Sequence, residues 1–211
     1  MAYTGSKAQA GRGSSLSIGS SVTPTGTTTT SSTSITGVTS TSGIAVGASI
    51  SGTGIPANTT ITAISGNTLT ISNAATATGS VTLTISPVIL GEIKSVPFKA
   101  GKWETADVTN FQSGSDREFI TTVRDNGTVD LAGNRVSGDA GQQAIEAAYS
   151  SGGISAFTLQ LPLASGQSTS GDKYTFNALV VSRDFTVDVT KEIDWQVSLK
   201  ISGAVTFAAG S

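Results

Sequence analysis

The sequence contains no cysteine and no histidine in its 211 residues. Without thiols there is no disulfide framework and no cysteine nucleophile. Without imidazole neither a Ser-His-Asp nor a Cys-His relay can be assembled. Zinc loses its usual ligands for the same reason. There is no GxxxxGKS/T loop and no strand-GxGxxG-helix arrangement, so phosphate cradles are missing as well. Long hydrophobic runs are also absent. The longest, residues 87–90 and 178–181, are strand-sized and far short of the ~20 apolar residues of a membrane span. Residues 1–7 have no apolar run after their charge and do not read as a secretory signal. A soluble chain that starts in the cytoplasm of its producer is expected. The net charge of −2 does not advertise a nucleic-acid binder.

Charge is missing from a long stretch in the middle. No charged residue occurs between Arg12 and Glu92, whereas all fourteen acids and ten of the twelve bases lie from Glu92 onward. So sharp a boundary divides the chain into two regimes. The uncharged one opens with residues 25–34 (TGTTTTSSTS), low in complexity and read as a mobile lead-in. Beyond it, Ile61 and Ala63, Leu69 and Ile71, then Val81, Leu83 and Ile85 alternate with Thr or Ser, the period-two mark of half-buried strands. Gly66-Asn67 between two such runs is a two-residue hairpin signal. Residues 35–85 therefore read as a small β-module. The alternative, an unstructured Ser/Thr linker, would be poorer in aliphatics and richer in charge.

The charged regime reads as conventional globular sequence. Residues 117–124 and 128–136 flank Asp125-Asn126-Gly127, and Asn-Gly between such runs predicts a hairpin. Residues 139–150 (DAGQQAIEAAYS) form the one credible helix, with Ser137 or Asp139 as N-cap and Gly152 or Gly153 as the stop. Three strands are expected after it. Phe157, Leu159, Leu161 and Leu163 share a face of the first; the second spans about 173–184. In the third, Ile193, Trp195, Val197, Leu199 and Ile201 face inward, and Asp194, Gln196, Ser198 and Lys200 face outward. The fold class is mainly β: a β-sandwich or part-barrel with one flanking α-helix, plus a small inserted β-module. Between Val96 and Glu118 the alternation fails. Residues 98–115 read as a loop too long for an ordinary hairpin, and Trp103 and Phe111 within it point to docking against a partner. Carboxylate pairs occur at Asp184 and Asp188, Glu192 and Asp194, and Asp125 and Asp130. On turns and strand ends such acids are solvated far more often than catalytic.

Several segments taken in order resemble the major tail tube proteins of long-tailed, siphovirus-like bacteriophages. They are residues 10–19 (AGRGSSLSIG), 91–96 (GEIKSV), 107–120 (DVTNFQSGSDREFI), 125–134 (DNGTVDLAGN), 139–143 (DAGQQ) and 195–203 (WQVSLKISG). No single motif is diagnostic; their collinearity carries the likeness. It covers residues 1–19 and 87–211, a discontinuous tail tube domain. Residues 20–86 interrupt the pattern as an inserted Ser/Thr-rich module. Its segments 50–64 (ISGTGIPANTTITAI) and 73–79 (NAATATG) resemble a small β-repeat of assorted phage structural proteins.

The resemblance implies a structural subunit of the virion tail, assembled in the host cytoplasm, with no enzymatic activity, cofactor or metal. Its partners would be other copies of itself in hexameric, stacked rings, a tape-measure protein, and tail terminator and tip proteins. Double-stranded DNA would pass through the lumen without sequence-specific binding. It also implies that residues 103–115, with Trp103, Asp107, Val108 and Phe111, contact the next ring, and that residues 1–14 and 206–211 are arms. Asp125, Asp130, Asp184 and Asp194 are candidate lumen acids. Their facing is open at this point, as is the orientation of residues 20–86, outward or bridging rings. Three rivals stand beside this: a tube subunit of a contractile tail or injection machine, a capsid decoration or host-attachment protein, and a carboxylate-dependent hydrolase.

Overall fold

The computed structural model describes residues 11–211. The first ten residues, including most of the expected N-terminal arm, lie outside the described residues. The chain runs through β1 (Ser15–Ile18), β2 (Thr25–Thr28), β3 (Ser34–Ile35), β4 (Ile50–Ser51), β5 (Ile61–Ser65), β6 (Thr68–Ile71), β7 (Gly79–Thr82), β8 (Thr84–Ile85), β9 (Val88–Ile89) and β10 (Ile93–Ser95). Then come β11 (Phe98–Asp107), β12 (Phe119–Asn134), helix α1 (Ala140–Ser151), β13 (Ser155–Gln160), β14 (Lys173–Thr186) and β15 (Asp194–Ala208). The fold is mainly β with one helix. Among the described residues no helix is long and apolar enough to cross a membrane.

One eight-stranded antiparallel sheet dominates, in the order β10-β12-β15-β14-β13-β1-β9, with β11 sharing the β10 edge of β12. It is strongly curled. Phe98 on β11 and Phe176 on β14 stand three strand spacings apart, about 14 Å in a flat sheet, yet their rings meet edge-on at 5.4 Å. On β15, Trp195, Val197, Leu199 and Ile201 are buried, while Asp194 and Gln196 are exposed, as alternation predicts. Ile193 precedes the strand and is exposed, contrary to expectation. Phe157 and Leu159 are likewise buried on β13, but Leu163 lies past its end and is exposed.

The Asn-Gly hairpin does not form. β12 passes straight through Asn126 and Gly127 for 16 residues. Gly127 takes φ +84°, which kinks the strand without reversing it. The Asn126 side-chain amide donates to the Gly203 carbonyl at 2.6 Å, making a cross-strand tie instead of a turn. The reversal comes earlier: residues 98–107, expected in a loop, form β11, and only residues 108–118 remain as the connection.

The uncharged region is ordered throughout. Its strands β2 to β8 pair as β2-β7, β3-β6-β5 and β4-β8, among themselves, and the Gly66-Asn67 hairpin joins β5 to β6 as expected; β1 and β9 belong to the large sheet. Residues 25–34 are not a mobile lead-in: Thr28 is fully buried in β2, and Thr30 bonds Thr78 through both its backbone and its hydroxyl. Threonine here is β-branched wall and hydrogen-bonding group at once, with Thr28 Oγ1 donating to Gly79 O and Thr59 Oγ1 to Pro56 O. The buried side chains of this region, Ile35, Leu69 and Leu83 among them, belong to one continuous core with those of α1 and the large sheet.

Helix α1 sits where the two meet, and the DAGQQ segment explains how. The Asp139 carboxylate caps the helix by accepting from Gln142 N at 2.8 Å, and Gly152 closes the far end. Gln142, wholly buried, accepts from Val136 N and Arg135 Nη1 and donates to Asn134 O. At Gly141 the helix touches β9 backbone: an added Cβ would lie 2.5 Å from both Ile89 O and Leu90 Cα. Alanine normally stabilises a helix interior by ~1 kcal/mol over glycine. Here the sign should invert, because the atoms met are backbone. Gly141→Ala is expected to cost about 1–3 kcal/mol, read as a lower midpoint in thermal or urea unfolding.

Candidate interaction surface

β12 pairs with β15 only from Thr128 to Asn134. Its first half, with β11, leaves the sheet as a two-stranded ribbon. Two strands alone are marginal in water, and this pair carries apolar side chains on both faces. Register puts Trp103, Arg124 and Phe119 on one face, where the Arg124 guanidinium lies 5.8 Å from the Trp103 ring centre. Ile120, opposite Ala106, continues the face of Phe98 and Val129, the core face of the sheet, and Val123 lies in the bulge beside it. Trp103, Phe119, Ile120 and Val123 are all exposed, and Phe111 at the tip is wholly so (106 %).

Of the four residues expected to reach a partner, Phe111 and Val108 sit in the connecting loop and are exposed, and Trp103 is exposed on the β11 strand. Asp107, also exposed, is tied to the loop itself. Its carboxylate accepts from Thr109 N at 2.9 Å and Thr109 Oγ1 at 2.5 Å, pinning the start of the loop, and both bonds hold it below the usual carboxylate range. Phe119, Ile120 and Val123 escaped sequence reasoning because the ribbon is exposed on both sides and so shows no alternation of polarity.

A second surface lies at the other end of the long strands. β13 covers β14 only over Lys173–Ala178, so residues 179–186 have β15 on one side and, among the described residues, no strand on the other. Arg183 there ties the strand to the helix, with its Nε 2.8 Å from Glu146 Oε2 and its guanidinium 4.9 Å from the Tyr149 ring centre. The turn that follows exposes Phe185, Val187 and Val189, the last completely (101 %). Asp188 holds this turn as Asp107 holds the other, accepting from Thr190 N and Oγ1 at 2.8 and 2.7 Å. The same tripeptide, Asp-Val-Thr, thus builds both ends. The expected arm at residues 206–211 does not project: Thr206, Phe207 and Ala208 pair with β14, and Ser211 O accepts from the backbone of Ser168, Thr169 and Ser170.

Three of the four acids gather on the sheet's solvent side, and Asp125 lies on the ribbon opposite Lys102. Cross-strand register aligns Asp130 with Ser198, Asp184 with Gln196 and Asp194 with Asn134, so these three share a face. Most are already matched by lysine. Asp130 bonds Lys99 Nζ at 2.5 Å and accepts from Ser198 Oγ at 2.7 Å; Lys200 Nζ reaches both oxygens of Asp125 at 2.6 and 2.7 Å; Lys94 lies 3.6 Å from Asp194 and 3.8 Å from Glu192. Asp184 has no ion pair among the described residues. Of the carboxylate pairs singled out in the sequence, Glu192 and Asp194 share Lys94, Asp125 and Asp130 are held by Lys200 and Lys99, and Asp188 is held by Thr190.

Lys200, then the Gly127 N–H, hold Asp125 below its ordinary value of 3.8. Lys99, then Ser198, do the same for Asp130. A carboxylate lowered in the folded state stabilises the fold above its unfolded pKa and loses that contribution as pH falls through the lowered one. The sheet should therefore weaken only below about pH 4 on this account. Lys200→Met should raise the Asp125 titration midpoint toward 3.8 and leave that of Asp107 unmoved, as followed by NMR of the carboxyl carbons.

No family model and no curated protein matches the sequence. Among solved structures, the chain is similar to a chain of the tail of an empty GTA particle refined helically with C6 symmetry, at 20 % identity and a TM-score of 0.47, covering 59 % of this chain and 87 % of that one. It is also similar to a chain of the six-fold symmetrised baseplate of the anti-feeding prophage, at 10 % identity and a TM-score of 0.47, covering 59 % and 85 %.

Proposed function

We propose that the chain is the repeating subunit of a phage tail tube. Copies join side by side into rings, six to a ring, and the rings stack around a lumen that conducts double-stranded DNA. The observation that carries this reading is the pair of open margins on one run of long strands: among the described residues no strand pairs with the outer side of β11, nor with the second half of β14. Open edges seek partners. The run β11-β12-β15-β14 alternates in direction and has an even number of members, so its first and last strands point opposite ways. Placed around a cyclic axis, β14 of one copy beside β11 of the next continues an antiparallel sheet, and closure satisfies both of these open margins.

In this reading the face bearing Asp130, Asp184 and Asp194 lines the lumen. A wall whose acids are largely matched by lysine offers phosphates no basic track to be held on through counterion release. Residues 20–86 form an inserted module on the outer wall, and residues 1–19 with 87–211 form the tube domain. The tape-measure, terminator and tip proteins are its tail partners. The reading covers tubes with or without a contractile sheath. Negative-stain electron microscopy of the purified protein tests it: hollow rods or stacked rings are expected. A monomer or compact oligomer that never stacks, even at high concentration, would overturn it and favour a surface decoration or attachment role.

A further inference from the structure

We infer that the exposed turn between β14 and β15, residues 187–193 with Phe185 just before it, is the seat on which the ribbon tip of a second copy docks. The inference rests on the tube reading above and names the receiving surface. Both ends of the molecule present apolar side chains that are exposed among the described residues: Phe111 and Val108 at the tip, Phe185, Val187 and Val189 at the turn. Both are held rigid in the same way, by an aspartate that accepts from the backbone and hydroxyl of the threonine two residues on. Turns so pinned lose little conformational freedom on binding. The tip is also free of charge from Val108 to Ser115, which lowers the cost of drying it.

The occupant must be another molecule. Residue 134, level with the turn through Asp194 and Thr186, is separated from residue 119 at the ribbon's far end by about 50 Å of β12 at ~3.3 Å per residue. A tip cannot fold back onto its own turn. A two-fold pair would close both junctions within a dimer, whereas a copy offset along the strands leaves one tip and one turn open, so that association propagates. Stacked rings require the second arrangement, and a product that stops at the dimer would overturn it.

The absence of cysteine makes a direct test available. The full-length double variant Phe111→Cys with Val189→Cys, oxidised and run without reductant, is expected to give a ladder of linked chains extending past the dimer, lost on reduction. Each single variant should stay monomeric on the same gel. Dimers from Phe111→Cys alone would mean that tips pair with tips and would overturn the inference. Rods that form normally but give no ladder would overturn the docking seat while leaving the tube reading intact. No rods and no ladder would overturn both. Val189→Asp keeps the question open to measurement should the cysteines perturb folding: it should raise the concentration at which rods appear by about tenfold or more, and unchanged assembly would count against the seat.

Discussion

Lysine at positions 120 and 123 together should abolish rods while leaving the isolated subunit as stable as before. Ile120 continues the core face of β12 onto the ribbon, and Val123 sits beside it in the bulge; both are exposed in the single chain. Substitutions at uncovered positions usually shift folding stability by no more than about 0.5 kcal/mol, so the thermal midpoint should hold. In the proposed tube the same positions would be covered. A fully buried aliphatic side chain contributes about 1.5–3 kcal/mol, and burying an unpaired ammonium adds to the loss. Two such changes at every junction should raise the concentration needed for assembly at least ~100-fold. Sedimentation velocity and electron microscopy of the double variant check it together with a melt. Rods at the wild-type concentration would show that this face stays wet in the assembly, and a fall in the melt would show that it is part of the subunit's own core.

The largest effect on folding is expected at Trp195. It is 1 % exposed at the start of β15, opposite Gly133 and Phe185, and its indole N–H has no hydrogen-bond partner among the described residues. Trp195→Ala should cost about 3–5 kcal/mol, from lost burial plus the cavity left behind. Trp195→Phe should cost under about 1.5 kcal/mol, because most of the volume stays and an unpaired buried donor goes. Urea unfolding separates the two, with unchanged slope and a lowered midpoint. Equal losses for both variants would mean that the N–H is satisfied and matters.

The parts of the fold legible in the sequence are those where one face is dry and the other wet. β15 announces itself because Trp195, Val197, Leu199 and Ile201 alternate with polar residues across a sheet packed on one side. Helix α1 is legible for a local reason, its aspartate cap and glycine stop. Where the physics was ambiguous the reading failed. β11 was hidden because a ribbon wet on both faces has no reason to alternate. Asn126-Gly127 carries the strongest local hairpin signal in the chain and still lies inside a strand, since pairing with β11 on one side and the tie to Gly203 on the other outweigh a turn preference. Residues 25–34 look like a linker by composition, but composition does not register that Thr28 is buried or that Thr30 and Thr78 clasp each other. The exposed aromatics at Trp103 and Phe111 were found because apolar side chains in an irregular stretch need a reason. Val189 was not, because a single valine in a turn does not.

The stretch between Arg12 and Glu92 has one more consequence. With no side chain there that gains or loses a proton near neutrality, its folding free energy carries no linkage to acidity, and mobile ions find no fixed charge in it to screen. The matched lysines and carboxylates of the large sheet respond to both. One polypeptide therefore joins an electrically silent half to a responsive one through a shared core, and a swing in medium that loosens the second meets in the first a wall of hydroxyl groups that does not register it.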